Sequence, residues 1–332
     1  MSQTRSGPSL WSDPPLDGMP WTILHLVTWS SGYLEGKGIT GARLDVEHLL
    51  AHILGMDRLQ LYLDFDRPVP PDELARFKPL LRQRARRKPL QYILGRTSFR
   101  DLELLTDSRV LIPRPETEEL VEAILEQVGG WGRQSLRALD VGTGSGAIAL
   151  SLAHEGPFGL VVATDSSAGA VEVAQANAGV HGLEGKVEFR IGESLDPLRP
   201  GEQFHVLVSN PPYVTEEDFE SLEAEVRVWE PRSALVAAEG GLAVLNDLVS
   251  RAPTALTKGG LLALEVGAGQ APAVTERIRS TVGFDPPVVL RDFGRVERLV
   301  LATWWGEGQS GLDRIVAGEA RDDRISLTVR SQ

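Results

Sequence analysis

From Leu136 onward, apolar runs that fit buried strands alternate with segments that fit helices. This alternation is typical of an open α/β sheet, in which helices connect mostly parallel strands. The predicted strands cover residues 136–141, 160–163, 187–191, 204–208, 261–266, 288–290 and 299–302, and the last two should form an antiparallel pair. The pattern predicts a Rossmann-like domain that binds its ligands beyond the carboxyl ends of the strands.

The rest of the chain divides by composition and periodicity. Residues 1–18 are rich in Ser, Pro, Gly and Asp and predict a disordered leader, whereas residues 19–89 show helical spacing that predicts a domain of about four helices. Short apolar runs at 92–95, 97–99, 102–105 and 110–112 predict strands, so we interpret residues 90–112 as a linking β-hairpin. The sheet domain then spans 113–303 and begins with the proline- and acid-rich segment 113–119, which fits a plain helix start and a ligand contact equally well. Residues 304–332 predict a flexible tail.

Composition excludes several classes of protein. The 332 residues carry a formal net charge of −12 and no cysteine, which argues against a non-specific nucleic-acid binder and excludes disulfides and thiolate chemistry. The six histidines form no ligand-like cluster, so we expect no metal. Without a long apolar run or a signal-peptide pattern, the sequence indicates a cytoplasmic protein that binds no membrane.

One basic stretch stands out in this acidic chain. Residues 76–88, in and just after the last predicted long helix of the first domain, contain no acidic residue. They contain seven basic ones: Arg76, Lys78, Arg82, Arg84, Arg86, Arg87 and Lys88. Two interpretations of this basic stretch remain open: a basic helix face exposed to solvent, and a docking surface for an acidic protein partner.

The predicted fourth strand of the sheet ends in Ser209-Asn210-Pro211-Pro212-Tyr213. Neither proline can donate to a sheet, so the chain leaves the sheet here and its carbonyl groups are free to face a ligand. Asn210 adds a side-chain oxygen and Tyr213 an aromatic wall, which together suit a planar group that carries an NH2. A Pro-rich turn with a capping Asn is the structural alternative.

The first strand runs into the glycine loop Gly142-Thr143-Gly144-Ser145-Gly146. Gly142, Gly144 and Ala147 fit the dinucleotide pattern, with Asp165 where a ribose-binding acid belongs, so a nicotinamide enzyme is one interpretation. Asp140 ahead of the loop favours the other, an S-adenosylmethionine-dependent methyltransferase, because a carboxylate suits the positive charges of that cofactor. A third interpretation is that the glycines only allow the strand and the following helix to pack closely.

Strands one and four are neighbours where the strand order of such a sheet reverses, so the two motifs should border one crevice. A methyl donor beside a clamp for an NH2 group indicates an N-methyltransferase that acts on an amide or an exocyclic amine.

Six strings occur in an order that resembles the PrmC/HemK family of release factor glutamine N5-methyltransferases, over about residues 19–303. They are 90–95, 111–118, 140–150, 209–213, 230–235 and 292–298. The resemblance implies a class I methyltransferase fold, S-adenosylmethionine as cofactor, and methylation of the glutamine amide in the Gly-Gly-Gln motif of class-1 peptide chain release factors. It also implies that the helical domain docks the substrate.

The resemblance assigns roles to individual residues. Gly142, Thr143, Gly144, Ser145 and Gly146 would hold the cofactor, Asp165 its ribose, and Asn210 would lie between cofactor and substrate. Asn210, Pro211, Pro212 and Tyr213 would form the glutamine site. Where the family often has Asp and an aromatic residue near the adenine, this chain has Glu193-Ser194; we retain Ser194 as a cofactor contact.

An amide nitrogen is a poor nucleophile. We hypothesise that the Asn210 oxygen and the Pro211 carbonyl accept its two N–H bonds, and that positioning and electrostatics carry the catalysis. An adenine-N6 nucleic-acid methyltransferase could use the same clamp but would need a basic cleft, and a non-catalytic binding protein would more plausibly have lost Asn210 or a loop glycine. We expect a monomer that binds no DNA.

Overall fold

The computed structural model describes residues 20–132 and 135–306. The chain forms two compact units with their boundary between Leu94 and Gly95. The predicted leader and nearly all of the predicted tail lie outside the described residues. Within the described ranges no helix has the length and apolarity needed to cross a membrane.

The first unit is helical, as its periodicity predicts. Its helices in the described part are α1 (Ile23–Glu35), α2 (Ala42–Leu54), α3 (Arg58–Leu63), α4 (Pro71–Ala85) and α5 (Leu90–Leu94). Buried side chains from α1, α2 and α4, among them Leu26, Leu50 and Phe77, form one apolar core. This core holds the unit together.

The basic stretch on α4 is partly structural. Arg84 is only 6% exposed, and its Nε donates to Asp45 Oδ2 over 2.6 Å. Arg87 donates to the Gly38 carbonyl. A docking surface on this helix therefore cannot use Arg84, whose charge is already paired inside the unit.

The segment before the sheet domain corrects two predicted strands. Residues 92–94 belong to α5 and residues 110–112 form no strand. A short apolar run fits a helix as well as a strand, and here Pro89 precedes the run and Gly95, with φ +73°, follows it, which are the residues that begin and end helices. The hairpin is shorter than predicted, with β1 at Arg96–Phe99 and β2 at Leu102–Leu105.

The second unit contains the predicted seven-stranded sheet, and the Rossmann-like methyltransferase fold is confirmed. Its strands are β3 (Leu136–Val141), β4 (Phe158–Asp165), β5 (Val187–Ile191), β6 (Phe204–Ser209), β7 (Leu256–Glu265), β8 (Val288–Arg291) and β9 (Glu297–Trp304). They lie in the order β5-β4-β3-β6-β7-β9-β8, and β9 is antiparallel to both neighbours. The order reverses between β3 and β6, which places the ligand crevice there.

Helices cover both faces of this sheet. They are α6 (Pro115–Gly129), α7 (Ala147–Glu155), α8 (Ala168–His181), α9 (Glu216–Phe219), α10 (Ala224–Trp229), a 3-10 turn (Arg232–Ala234), α11 (Ala238–Gly241), α12 (Ala243–Ala255) and α13 (Ala271–Ser280). Successive strand residues belong to different cores: Ala138 packs with the α6 and α7 side chains, and Leu139 with those of α12 and α13. The alternation follows from the two-residue period of a strand.

The predicted start of the tail at Trp304 is wrong. Trp304 ends β9, and the next residue, Trp305, donates its backbone N–H to the Gly283 carbonyl and its indole N–H to Asp285. The polar, Gly-rich composition after Trp304 gives no sequence signal for these contacts, which are made to residues about 20 positions earlier in the chain.

The hairpin is tied to the body of the second unit. Buried Asn177 on α8 accepts a hydrogen bond from the Leu105 N–H (2.6 Å) and donates to the carbonyls of Leu105 (3.1 Å) and Ser145 (2.9 Å). At the hairpin turn, Arg100 pairs with Glu155. Asn177 thus joins the hairpin to the glycine loop.

We predict that Asn177→Leu lowers the free energy of unfolding by about 3 kcal/mol or more, because buried groups left unpaired cost roughly 1–3 kcal/mol each. Denaturant unfolding measures this change. Gln175→Leu, on the exposed side of the same helix, is the matched control. Equal stability of the two variants would contradict the assigned role of Asn177.

Candidate active site

The two predicted motifs meet at the carboxyl edge of the sheet. β3 and β6 are parallel neighbours, with Val141 opposite Ser209, so the glycine loop and Asn210 leave the sheet side by side. The Ser209 hydroxyl donates to the Val141 carbonyl over 2.6 Å and joins the two strand ends.

Three loop glycines have left-handed backbone conformations but face different surroundings. At Gly142 (φ +76°) and Gly144 (φ +56°) an added Cβ would meet nothing within 4 Å, so the loop borders open space there. At Gly146 an added Cβ would lie 3.2 Å from the Ala174 Cβ, which makes this glycine a packing residue. Two of the three glycines therefore let a ligand approach the backbone, and the third serves the helix behind it.

Most backbone N–H groups of the loop are already used. Those of Gly142 and Thr143 donate to the Thr164 carbonyl, that of Gly144 to Asp165 Oδ2, and that of Gly146 to the Thr143 carbonyl. A pyrophosphate is normally bound by such N–H groups. The loop is thus poorly suited to a dinucleotide, and the nicotinamide interpretation is not supported.

Asp140 lies buried beneath the loop, with none of its surface exposed. Its Oδ2 accepts hydrogen bonds from the Thr143 hydroxyl (2.6 Å) and the Ala149 N–H (3.2 Å), while Oδ1 has no partner among the described residues. Burial raises the pKa of Asp140 to about 7. When ionised, this incompletely compensated carboxylate favours a cation over the loop, which fits the ammonium and sulfonium groups of S-adenosylmethionine.

Thr143 and Ser145 do not offer their side chains to the crevice. Both residues are buried, and the Thr143 hydroxyl is bonded to Asp140. A cofactor contact from either residue would come from its backbone.

Asp165 ends β4 beside the loop and is partly exposed. Its Oδ2 accepts the Gly144 N–H over 2.9 Å and its Oδ1 the Ser167 N–H over 2.8 Å. Burial raises its pKa, and these hydrogen bonds oppose the shift. A carboxylate oxygen has more than one acceptor position, so Asp165 can still accept hydrogen bonds from two neighbouring hydroxyls.

Ser194 follows β5, in a left-handed conformation with φ +48°. Its hydroxyl donates to Asp247 on α12, and its carbonyl accepts from the Thr164 hydroxyl. The hydroxyl hydrogen of Ser194 is therefore used within the protein, although the residue lies next to the strand ends that border the crevice.

The Asn210 side chain is held by its nitrogen. Nδ2 donates to the Thr117 hydroxyl over 2.9 Å, and that hydroxyl donates to Glu265 Oε2 over 2.8 Å. Neither Asn210 Oδ1 nor the Pro211 carbonyl is bonded within residues 20–132 and 135–306. The motif therefore retains two acceptors for a ligand.

Tyr213 is fixed by its neighbours. Its ring lies against Gly267, where an added Cβ would be 3.0 Å from Tyr213 Cδ2, and its carbonyl accepts from Gln270 Nε2 over 3.0 Å. Burial, with the nearby charge of Glu265, raises the pKa of Tyr213 to about 12. The phenol therefore stays neutral at physiological pH.

The segment after the motif is also anchored. Val214 pairs with Val236 in an isolated bridge, and Gln270 links the Tyr213 and Gly240 carbonyls through its Nε2. Gln270 Oε1 accepts the Gly267 N–H. One amide thus fixes three parts of the site wall.

Sequence reasoning missed four residues around the motif: Thr117, Glu265, Gln270 and the Arg114 that pairs with buried Glu230 at 2.7 Å. Thr117 lies in the first turn of α6, in a segment whose sequence fits a plain helix start and a ligand contact equally well but does not single out Thr117. Glu265 carried a usable signal, since a carboxylate at the end of an apolar strand marks the ligand edge of such a sheet. Gln270 gave no local signal.

Comparisons with known proteins agree with this geometry. Residues 25–95 match the family described as PrmC N-terminal domain, and residues 117–236 match the family described as Methyltransferase small domain.

Three relatives are each named release factor glutamine methyltransferase. The protein of Geobacter sulfurreducens is 42% identical over 281 residues, which cover 84% of this chain and 96% of the relative. That of Chlorobaculum tepidum is 39% identical over 284 residues, covering 84% and 96%. That of Rhodopirellula baltica is 33% identical over 283 residues, covering 85% and 96%. Because the identity extends over nearly the whole length of these relatives, the chain belongs to the release factor glutamine methyltransferase family.

Proposed function

We propose that this enzyme transfers the methyl group of S-adenosylmethionine to the side-chain amide N5 of the glutamine in the Gly-Gly-Gln motif of class-1 peptide chain release factors. The observation that carries the proposal is the pair of unused acceptors, Asn210 Oδ1 and the Pro211 carbonyl, beside the loop that borders the cofactor crevice. Two acceptors match the two hydrogens of a primary amide, and Tyr213 gives its plane a wall.

The chain's own residues account for binding of the cofactor. Gly142 and Gly144 allow close approach, Asp140 provides a negative field, and Asp165 offers acceptors for ribose hydroxyls. When bound, S-adenosylmethionine supplies an electrophilic methyl group on a positively charged sulfur. Thr143, Ser145 and Gly146 belong to the same loop and would contribute through the backbone, and Ser194 would border the adenosine.

The clamp makes the amide nitrogen reactive by geometry. Hydrogen bonds from its two N–H groups to Asn210 Oδ1 and the Pro211 carbonyl favour a pyramidal nitrogen, whose lone pair is then less delocalised into the carbonyl. Pro212 keeps the clamp rigid and Tyr213 limits the position of the amide plane. The product amidium is a strong acid that loses its proton to water, so the step requires no side-chain base.

The release factor is the proposed partner, and the helical first unit its proposed docking domain. Translation termination takes place in the cytoplasm, which is therefore the proposed location, and we propose that the enzyme acts as a monomer. Adenine-N6 methylation of nucleic acid is not favoured, because the relatives are named for release factor glutamine and the chain's formal net charge is −12.

Incubation with radiolabelled S-adenosylmethionine tests the substrate. We predict that label enters a class-1 release factor and not DNA, and that replacing the glutamine of its Gly-Gly-Gln motif by asparagine abolishes labelling because the shorter amide cannot reach the clamp. Label in DNA, or label in the release factor at another residue, would refute the proposal.

We predict that Asn210→Ala lowers kcat about 10²- to 10³-fold, the range found when one preorganised hydrogen-bonding group is removed from an active site. The dissociation constant for S-adenosylmethionine should change little, because the loop and Asp165 remain. Single-turnover kinetics and calorimetry measure the two quantities. Asn246→Ala, which removes an amide bonded to exposed Glu239, is the control.

We predict that Asp165→Asn weakens binding of S-adenosylmethionine about 10- to 100-fold, because hydrogen bonds to a charged group are worth about 1.5–3 kcal/mol. Calorimetry with the purified protein measures the effect. Glu172→Gln removes an exposed carboxylate from α8 and should leave the affinity unchanged. Unchanged affinity in Asp165→Asn would exclude Asp165 from the ribose site.

A further inference from the structure

Three side chains from distant parts of the sequence form one hydrogen-bond chain behind the clamp. Glu265 is the last residue of β7, Thr117 lies in the first turn of α6, and Asn210 follows β6. Asn210 Nδ2 lies 2.9 Å from Thr117 Oγ1, which lies 2.8 Å from Glu265 Oε2. Thr117 is 4% exposed and Glu265 1%, so water does not compete for these bonds.

The donors and acceptors of this chain fix its direction. An ionised carboxylate only accepts hydrogen bonds, and a hydroxyl has a single hydrogen to donate. Thr117 must therefore give its hydrogen to Glu265 and accept from Asn210. Only the nitrogen of the Asn210 amide can then face Thr117. The oxygen of the amide is therefore turned away from Thr117, toward the position proposed for the substrate.

We propose that Thr117 and Glu265 are positioning residues, which hold the Asn210 amide with its oxygen toward the NH2 group of the substrate. The inference rests on the proposed function, since it concerns the orientation of the acceptor used in that reaction. A reversed Asn210 amide would present its own N–H groups to the N–H groups of the substrate, and the site would lose one of its two hydrogen-bond acceptors.

The chain also gives the site a dependence on pH. A protonated Glu265 can donate to Thr117, whose hydrogen is then free to turn toward Asn210 Oδ1, and the amide reverses. Burial raises the pKa of Glu265 to about 7, with Glu116 adding to the shift and Arg298 and Arg114 opposing it. Tyr213, which also neighbours Glu265, stays neutral through this range because its pKa is about 12, whereas Asp140, with a pKa of about 7, titrates beneath the glycine loop and is not part of this hydrogen-bond chain. Activity should thus rise with pH as Glu265 loses its proton.

The first test compares two substitutions of Thr117. Thr117→Val keeps the shape but removes the hydroxyl, and we expect kcat to fall on the order of 100-fold, as for other small misplacements of a reacting group. Thr117→Ser keeps the hydroxyl and should retain most of the activity. The KM for S-adenosylmethionine should stay unchanged in both. In the Asn210→Ala background, Thr117→Val should cause no further loss, because the amide it orients is absent.

The second test is the pH profile of kcat. We expect wild-type kcat, measured at saturating S-adenosylmethionine so that titration of Asp140 beneath the cofactor loop does not limit the rate, to fall as pH drops through about 7, the pKa of Glu265. Glu265→Gln carries no proton to exchange in this range and should lose the acidic limb, at a kcat below the wild-type maximum because a glutamine can donate as well as accept. An acidic limb that persists unchanged in Glu265→Gln would overturn the inference.

The controls separate the possible failures. If the wild-type enzyme does not methylate a release factor, the proposed function fails and the inference fails with it. If it does, while Thr117→Val matches wild type in kcat, only the inference is overturned. Thermal unfolding monitors the fold of each variant, and should Thr117→Val not fold, the pH profile of Glu265→Gln decides the inference by itself.

Discussion

The site depends on the parallel pairing of β3 with β6. Val141 and Ser209, 68 residues apart, end the two strands side by side, and the Ser209 hydroxyl bonds them directly. A one-residue change of this register would exchange the two faces of the sheet and bury the wrong side chains. The apolar residues that alternate between the two cores therefore also determine where the glycine loop and Asn210 emerge, so folding of the sheet and formation of the site are one event.

Charge around this edge is arranged in layers. Carboxylates are buried behind the surface that faces ligands: Asp140 beneath the loop and Glu265 behind the clamp, each with its pKa raised to about 7 by burial. The two groups proposed to face the substrate, the Asn210 oxygen and the Pro211 carbonyl, are neutral acceptors. In the proposed reaction this arrangement would attract a cationic cofactor through the field of the ionised acids without placing a strong base against the substrate.

Much of this architecture is readable from the sequence because it is local. The strand of residues 136–141, the glycine loop and the Asn-Pro-Pro-Tyr turn depend on neighbouring residues, and the structure shows them in place. The hydrogen bond from Thr117 to Glu265 spans 148 residues, so no local pattern predicts it. The sequence predicts a strand at residues 92–94, which are helical, because so short an apolar run has no periodicity of its own and its conformation depends on its neighbours.

A clamp made of the Asn210 oxygen and the Pro211 carbonyl, as proposed, would recognise an NH2 group, and this limits the substrates that it can select. A lysine ammonium has three N–H bonds and no plane, so it fits neither the two acceptors nor the wall of Tyr213. A glutamine amide and the exocyclic amine of adenine both fit, since each presents two hydrogens in one plane. Discrimination between them must come from surfaces outside the clamp. The formal net charge of −12 disfavours the approach of a phosphate backbone, whereas a protein loop carries no such dense charge and can bring its amide to the two acceptors at little electrostatic cost.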